Sequence, residues 1–148
     1  MSTETEYITK KKWHKVAISK DGELTSYVNR KSVKRNGDRV TYIQLNSLEK
    51  GIERESGETV YSVIETTEVN CTNNEARFLK SVFYQGKMGK GKIIQRDNSI
   101  TEWEYFEKSS VMGIVLNYVC TKMKVKNLKP DIAKEDILPD TSESVKES

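Results

Sequence analysis

Imidazole is almost missing from this chain: its 148 residues hold one histidine, His14, with only two cysteines and two prolines. Serine and cysteine nucleophiles need an imidazole that takes the proton and is itself held by a third group. His14 would have to serve by itself, and no serine sits in a G-x-S-x-G turn. Zinc sites draw on closely spaced Cys and His pairs, whereas Cys71, Cys120 and His14 stand far apart. No catalytic residue, metal ligand or cofactor-binding residue is assigned. Long apolar runs are missing too, since nothing approaches the run of about 18 to 20 residues that crosses a bilayer. The start, MSTETEYITKKKW, is charged and lacks the apolar centre of a secretory leader. Either the protein stays in the cytoplasm, or a leader has been replaced by Met1.

What is present fits one domain. Apolar residues make up 35% and charged residues 32%, which predicts a modest core under a wet surface. The net charge of +3 is unevenly spread. Residues 127–148 hold three Lys against six Asp and Glu, so this tail carries −3 and the remainder +6. Such a basic body favours anionic partners through its field but specifies none of them.

The pattern predicts strands before a helix. Trp13–Ile18 is a first strand, Asp21-Gly22 a tight turn, and Glu23–Asn29 a second strand. Arg30–Arg35 reads as a basic connection, and Asn36-Gly37 as a two-residue turn with positive φ at both positions. Arg39–Leu48, rich in Val, Thr, Tyr and Ile, is a third strand, and Leu48–Glu58 a loop. Val60–Gly86 forms a hairpin about the polar turn Thr72–Glu75, in which Tyr61, Val63, Val69 and Cys71 share a face interrupted by Glu65 and Thr67. Lys92–Gln95 is a sixth strand, and Asp97–Lys108 runs extended beneath the helix. Met112, Val115, Leu116, Val119, Cys120 and Met123 recur at helical spacing. Ser109 or Ser110 caps this helix, Lys122, Lys124 and Lys126 suit its C-terminal end, and Pro130 stops it. Strands without βα alternation predict an α+β fold: a six-stranded antiparallel sheet with a C-terminal α-helix packed on one face. Residues 1–12 are a flexible arm, 13–126 the domain, and 127–148 a disordered acidic tail.

Four candidate chemistries follow from the residues. A Cys71–Cys120 bond would tie helix to hairpin; in an oxidising compartment it is expected, and in the cytoplasm two buried thiols are. Gly86–Lys92, GKMGKGK, has phosphate-loop spacing, but Ile93 stands where Ser or Thr must hold magnesium, and Ile93-Ile94 favours a strand. A lysine-rich glycine turn is the better account, with Lys87, Lys90 and Lys92 as candidate contacts for an anion or a partner. Lys10–Lys12, Lys31–Arg35 and Lys87–Lys92 are basic clusters, and seven Tyr with two Trp offer stacking surfaces. Nucleic acid is nonetheless set aside, because no K/R-G-F/Y motif appears and the aromatics are needed for the core. Glu65 and Glu68, three apart on a strand, face opposite sides. Glu102 and Glu104 share a face beside Trp103 and read as solvated.

In order along the chain stand Trp13, Tyr27-Val28-Asn29, Ser32-Val33, Val40–Leu45, Ser62 and Glu68–Cys71. Arg77, Tyr84, Met88-Gly89, Gly91, Trp103, Ser109-Ser110 and Val119-Cys120 follow. This ordered set resembles the surface-adhesin protein E family of Gram-negative bacteria. Asn29 stands where that family more often has Asp, and no Pro precedes Ser109. The resemblance implies the sheet and helix above, tied by Cys71–Cys120. It also implies an outer-membrane location and binding of host matrix and plasma proteins such as vitronectin and laminin. No ligand-binding residue transfers, because Trp13, Ser62, Arg77, Gly86, Gly91, Trp103 and Ser110 read as structural positions. Among them Trp13 and Trp103 are expected in the core, and Arg77 opposite Glu68.

The sequence thus points to a non-enzymatic, exported binding or envelope protein without a cofactor. Its partners would be proteins, with homodimer contacts along an edge strand as a further use. The alternative is a cytoplasmic or phage-borne module of the same fold for a protein, an anionic ligand or nucleic acid. Location follows the leader: periplasm or outer surface with one, cytoplasm without.

Overall fold

Strand pairing follows the chain order without a crossover. The computed structural model describes residues 12–122; the expectations for the N-terminal arm up to residue 11, for Met123, Lys124, Lys126 and Pro130, and for the acidic tail lie outside them. Strands β1 (His14–Ile18), β2 (Leu24–Asn36), β3 (Arg39–Glu53), β4 (Thr59–Asn70), β5 (Glu75–Tyr84) and β6 (Ile93–Asp97) form one antiparallel sheet in that order. A seventh, β7 (Glu104–Tyr105), pairs with β5 through Glu75 and Ala76. Helix α1 (Val111–Asn117) continues into a π turn, Tyr118–Lys122. No helix among the described residues is long and apolar enough to cross a membrane. The α+β architecture is the one expected, with one additional short strand.

Several local expectations are corrected. Residues 30–35 are strand, with a register shift between Asn29 and Lys34 that absorbs the extra residues. Asn36 pairs with Arg39, so the turn is Gly37-Asp38, with positive φ at Gly37 alone. That is the pattern of a II′ turn, in which only the first central residue needs glycine. Residues 48–53 extend β3 instead of forming a loop, with a register shift between Ser47 and Ile52. The helix is short, and Ser110 is its cap: its Oγ accepts from the Gly113 N–H at 3.0 Å and donates to the Glu107 carbonyl at 2.7 Å. A Cβ on Gly113 would sit 1.8 Å from that same carbonyl oxygen, so only glycine lets the helix start this close to the preceding turn.

Each sheet face is covered at a different end. Val115, Leu116 and Val119 pack on Ala17, Val28, Val33, Val40, Tyr42, Val69 and Ala76, a core drawn from the first five strands in which Val40 and Tyr42 alternate along β3. On the opposite face, at the far end, Leu45, Ser47, Val60 and Ser62 are buried, and there the backbone of Met88 and Gly89 lies against the sheet. Cys71 follows β4 and Cys120 lies in the π turn; their disulfide, with Cα atoms 5.8 Å apart, closes a loop of sequence separation 49. By chain entropy such a loop is worth about 4 kcal/mol, a large share of a small domain's net stability. Replacing both cysteines by alanine is therefore expected to lower the unfolding free energy in urea by about 4 kcal/mol. An unchanged urea midpoint would show that the clasp contributes nothing.

Candidate functional site

The diagonal covering leaves two regions of the sheet to polar side chains. On the face opposite the helix the register Thr41–Glu68–Arg77 aligns three strands, and Lys34 pairs with Thr41. The Glu68 carboxylate accepts from Arg77 Nε at 2.9 Å and from Arg39 Nη1 at 3.4 Å. Both guanidinium groups lie over the Trp103 ring, Arg77 at 4.6 Å and Arg39 at 5.1 Å from its centroid. Such stacking on an aromatic face adds a cation–π attraction to the ion pairs. Trp103 is thus half-buried on the sheet surface and not in the core, whereas Trp13 is buried. Beside this cluster a concavity of about 290 Å³ is lined by Lys34, Arg35, Asn36, Arg39, Thr41 and Glu68. Arg35 reaches the Gly37 carbonyl at 2.9 Å and the Cys120 carbonyl at 3.0 Å, which joins the rim of the concavity to the clasped helix.

The second region lies on the helix side of the sheet, beyond the helix. Ser26 Oγ donates to Asn46 Oδ1 at 2.6 Å, and Gln44 Nε2 donates to the same oxygen at 3.0 Å. Tyr42 donates its hydroxyl to Gln44 Oε1 at 2.6 Å. Asn46 Nδ2 in turn donates to Glu65 Oε1 at 3.2 Å, and Ser81 Oγ to Glu65 Oε2 at 3.5 Å. Burial disfavours the charged carboxylate and pushes Glu65 up to about 7, against the two hydrogen bonds that favour ionisation. Burial likewise raises Tyr42 well above the ordinary phenol value, with the Glu65 charge adding to it, so Tyr42 stays a donor. Glu65, which with Thr67 interrupts the apolar alternation of β4, is therefore an inner member of a hydrogen-bonded row that runs from Ser26 on β2 to Ser81 on β5.

The glycine-lysine segment is not a phosphate cradle. The Ser62 hydroxyl accepts from the Gly89 N–H at 2.8 Å and donates to the Gly86 carbonyl, while the Met88 N–H reaches Ser47 Oγ at 3.3 Å. Two N–H groups that a phosphate would need point at the sheet, and the chain leaves into β6, not into a helix. Gly91 has φ of 82°, and a Cβ on Gly86 would approach the Lys90 carbonyl to 2.8 Å. Lys87 pairs with Glu49 at 3.2 Å and Lys92 with Glu58 at 2.9 Å; Lys90 is exposed with no ion pair among the described residues. His14 stacks on Tyr118 with centroids 5.5 Å apart and contacts Arg30 at 2.6 Å. Partial burial and the Arg30 charge lower its pKa. Glu102 and Glu104 are exposed. No group of three or more His, Cys, Asp and Glu gathers as a metal site among the described residues.

Sequence reasoning missed Arg39 and Lys34 as site residues, and missed that Trp103 joins them. Glu65 was named as an interruption of the strand face and weighed with Glu68 as an acid–base pair, but its place in a polar row was not anticipated. The signal was a carboxylate beside Thr67 on a mostly apolar strand face, which marks either exposure or a polar network.

A single meandering sheet latched to a short helix by a disulfide defines a small α+β domain of the surface-adhesin type. The chain belongs to the surface-adhesin protein E family, whose model matches residues 13–121. Its fold is similar to that of Haemophilus influenzae protein E. Crystal form II of that protein is 16% identical with a TM-score of 0.57, over 74% of this chain and 88% of the other. A second structure of it is 14% identical with a TM-score of 0.56, over 76% and 86%.

The raised carboxyl of Glu65 has a measurable consequence. Between the ordinary glutamate value and about 7, the native state holds a proton that the unfolded chain has released, so stability falls as pH rises through that window. The loss is at most about 3 kcal/mol. Glu65→Gln is expected to be nearly neutral at pH 4 and stabilising at pH 8, with urea midpoints compared pairwise at each pH. Equal pH slopes in the two proteins would show that Glu65 ionises normally.

Proposed function

We propose that the chain is an exported, surface-displayed binding protein of the adhesin type that takes protein partners and catalyses nothing. The observation that carries this reading is the Cys71–Cys120 disulfide in a member of a surface-adhesin family. Structural disulfides persist in the periplasm and at the cell surface and are rare in the cytoplasm, which weighs against the cytoplasmic alternative. Periplasm or outer surface is the location that follows, and host matrix or plasma proteins are the partners that the family suggests. The chemistry of the described residues supports binding over catalysis. His14 is held between Tyr118 and Arg30, and the glycine loop spends its N–H groups on Ser47 and Ser62. The edge strands β1 and β6 leave backbone groups for a second copy, so a homodimer is part of the proposal.

The test uses the oxidised protein on wells coated with vitronectin, laminin or serum albumin, together with protease shaving of intact cells that express it. Saturable binding to a matrix or plasma protein above the albumin signal, and loss of the chain on shaving, are expected. Binding no better than to albumin, or a chain fully protected until lysis, would overturn the reading.

A further inference from the structure

We infer that the concavity beside Trp103 is a docking site for an acidic peptide segment of a protein partner, with Arg39 as its anchor. This rests on the reading of the chain as a protein-binding domain and names the chemistry of what is bound. Arg39 and Arg77 share the Glu68 carboxylate unequally, at 3.4 and 2.9 Å. Arg39 is the more exposed of the two, at 46% against 31% of its side chain, so it is the one an incoming carboxylate reaches. A guanidinium fork takes a carboxylate by two parallel N–H bonds, and stacking on Trp103 holds that fork in place before the ligand arrives. Because Arg77 keeps the shorter bond to Glu68, Arg39 can exchange partners without leaving the half-buried carboxylate unpaired. Lys34 raises the potential around the rim, and Asn36 and Thr41 offer polar groups to a peptide backbone.

Glu68 decides the ligand class. A nucleic acid or a densely sulfated glycan brings closely spaced charges that would meet this carboxylate head-on in the wall of the concavity. A peptide carries carboxylates several ångströms apart with neutral amides between, so it can set one on Arg39 and another towards Lys34 while passing Glu68. Recognition of acidic motifs by arginine clusters in unrelated domains uses the same pairing. None of the three lysines of the glycine turn lines this concavity, so they are a control surface.

The experiment titrates the full oxidised chain, labelled with nitrogen-15, with a capped hexaglutamate peptide, and follows the two indole N–H signals by NMR. A Trp103→Phe spectrum assigns them. Parallel titrations use hexalysine and a heparin hexasaccharide. The expected result is a saturable shift of the Trp103 signal with hexaglutamate and little movement of Trp13. Arg39→Gln should weaken the peptide roughly tenfold, by loss of a charge-assisted pair. Glu68→Gln should tighten it several-fold, because the competing charge is gone while an oxygen remains for Arg77. A damaged fold cannot tighten binding, so the two variants keep a structural defect apart from a lost contact. No saturable shift, equal affinity in all three proteins, weaker binding in both variants, or preference for the heparin fragment would each overturn the inference. Matrix-protein binding that survives Arg39→Gln would sink this site but leave the adhesin reading standing. Peptide binding without any matrix-protein binding would do the reverse.

Discussion

One sheet has two faces, and this chain has only one short helix to cover them. That shortage shapes the domain. The helix and its disulfide seal one face over Val28, Val40, Tyr42 and Val69, and the Ser62-anchored glycine loop seals the other over Leu45 and Ser47. Because the two covers sit at opposite ends, each face keeps an area that apolar packing does not claim. Polar chemistry fills both areas: the Ser26–Asn46–Glu65–Ser81 row on the helix side and the Arg39–Glu68–Arg77–Trp103 cluster on the other. The candidate sites are thus a consequence of how a small core is distributed.

The two polar areas differ in what they ask of their carboxylates. Glu68 is charged among arginines and organises an electropositive surface, an arrangement in which each cation is held by both an ion pair and an aromatic face. Among the described residues Glu65 pairs with no cation and is met by an amide and a hydroxyl, so burial raises its pKa. Two residues three apart on one strand, on opposite faces, end with opposite electrostatic roles. Glu68 binds two cations on the solvent side, and Glu65 links β3, β4 and β5 by hydrogen bonds where the helix ends.

The order of strands, their antiparallel sense, the late helix and a cap at Ser109 or Ser110 were legible in the sequence, because turn dipeptides and helical spacing are local signals. Strand ends were not. Residues 30–35, rich in positive charge, and 48–53, charged and bearing Gly51, look like loops, yet they extend β2 and β3 through register shifts that long pairing partners impose. Tertiary pairing overrides weak local preference at such places. Trp103 was misplaced because a large aromatic suggests a core, and nothing in its neighbours reveals two arginines arriving from β3 and β5. The serine contacts that turn the glycine loop inward are likewise long-range: Ser62 lies 24 residues from Gly86.

If the two faces are sealed by separate devices, the separation is visible residue by residue. Amide hydrogen exchange, compared in the oxidised protein and after reduction of Cys71–Cys120, reads it directly. The account predicts much faster exchange in α1, the π turn and the strand segments around Val28, Val40 and Val69 once the bond is cut. Around Leu45, Ser62 and Gly89 the acceleration should be distinctly smaller. Equal acceleration at both ends, or none at the helix, would contradict it.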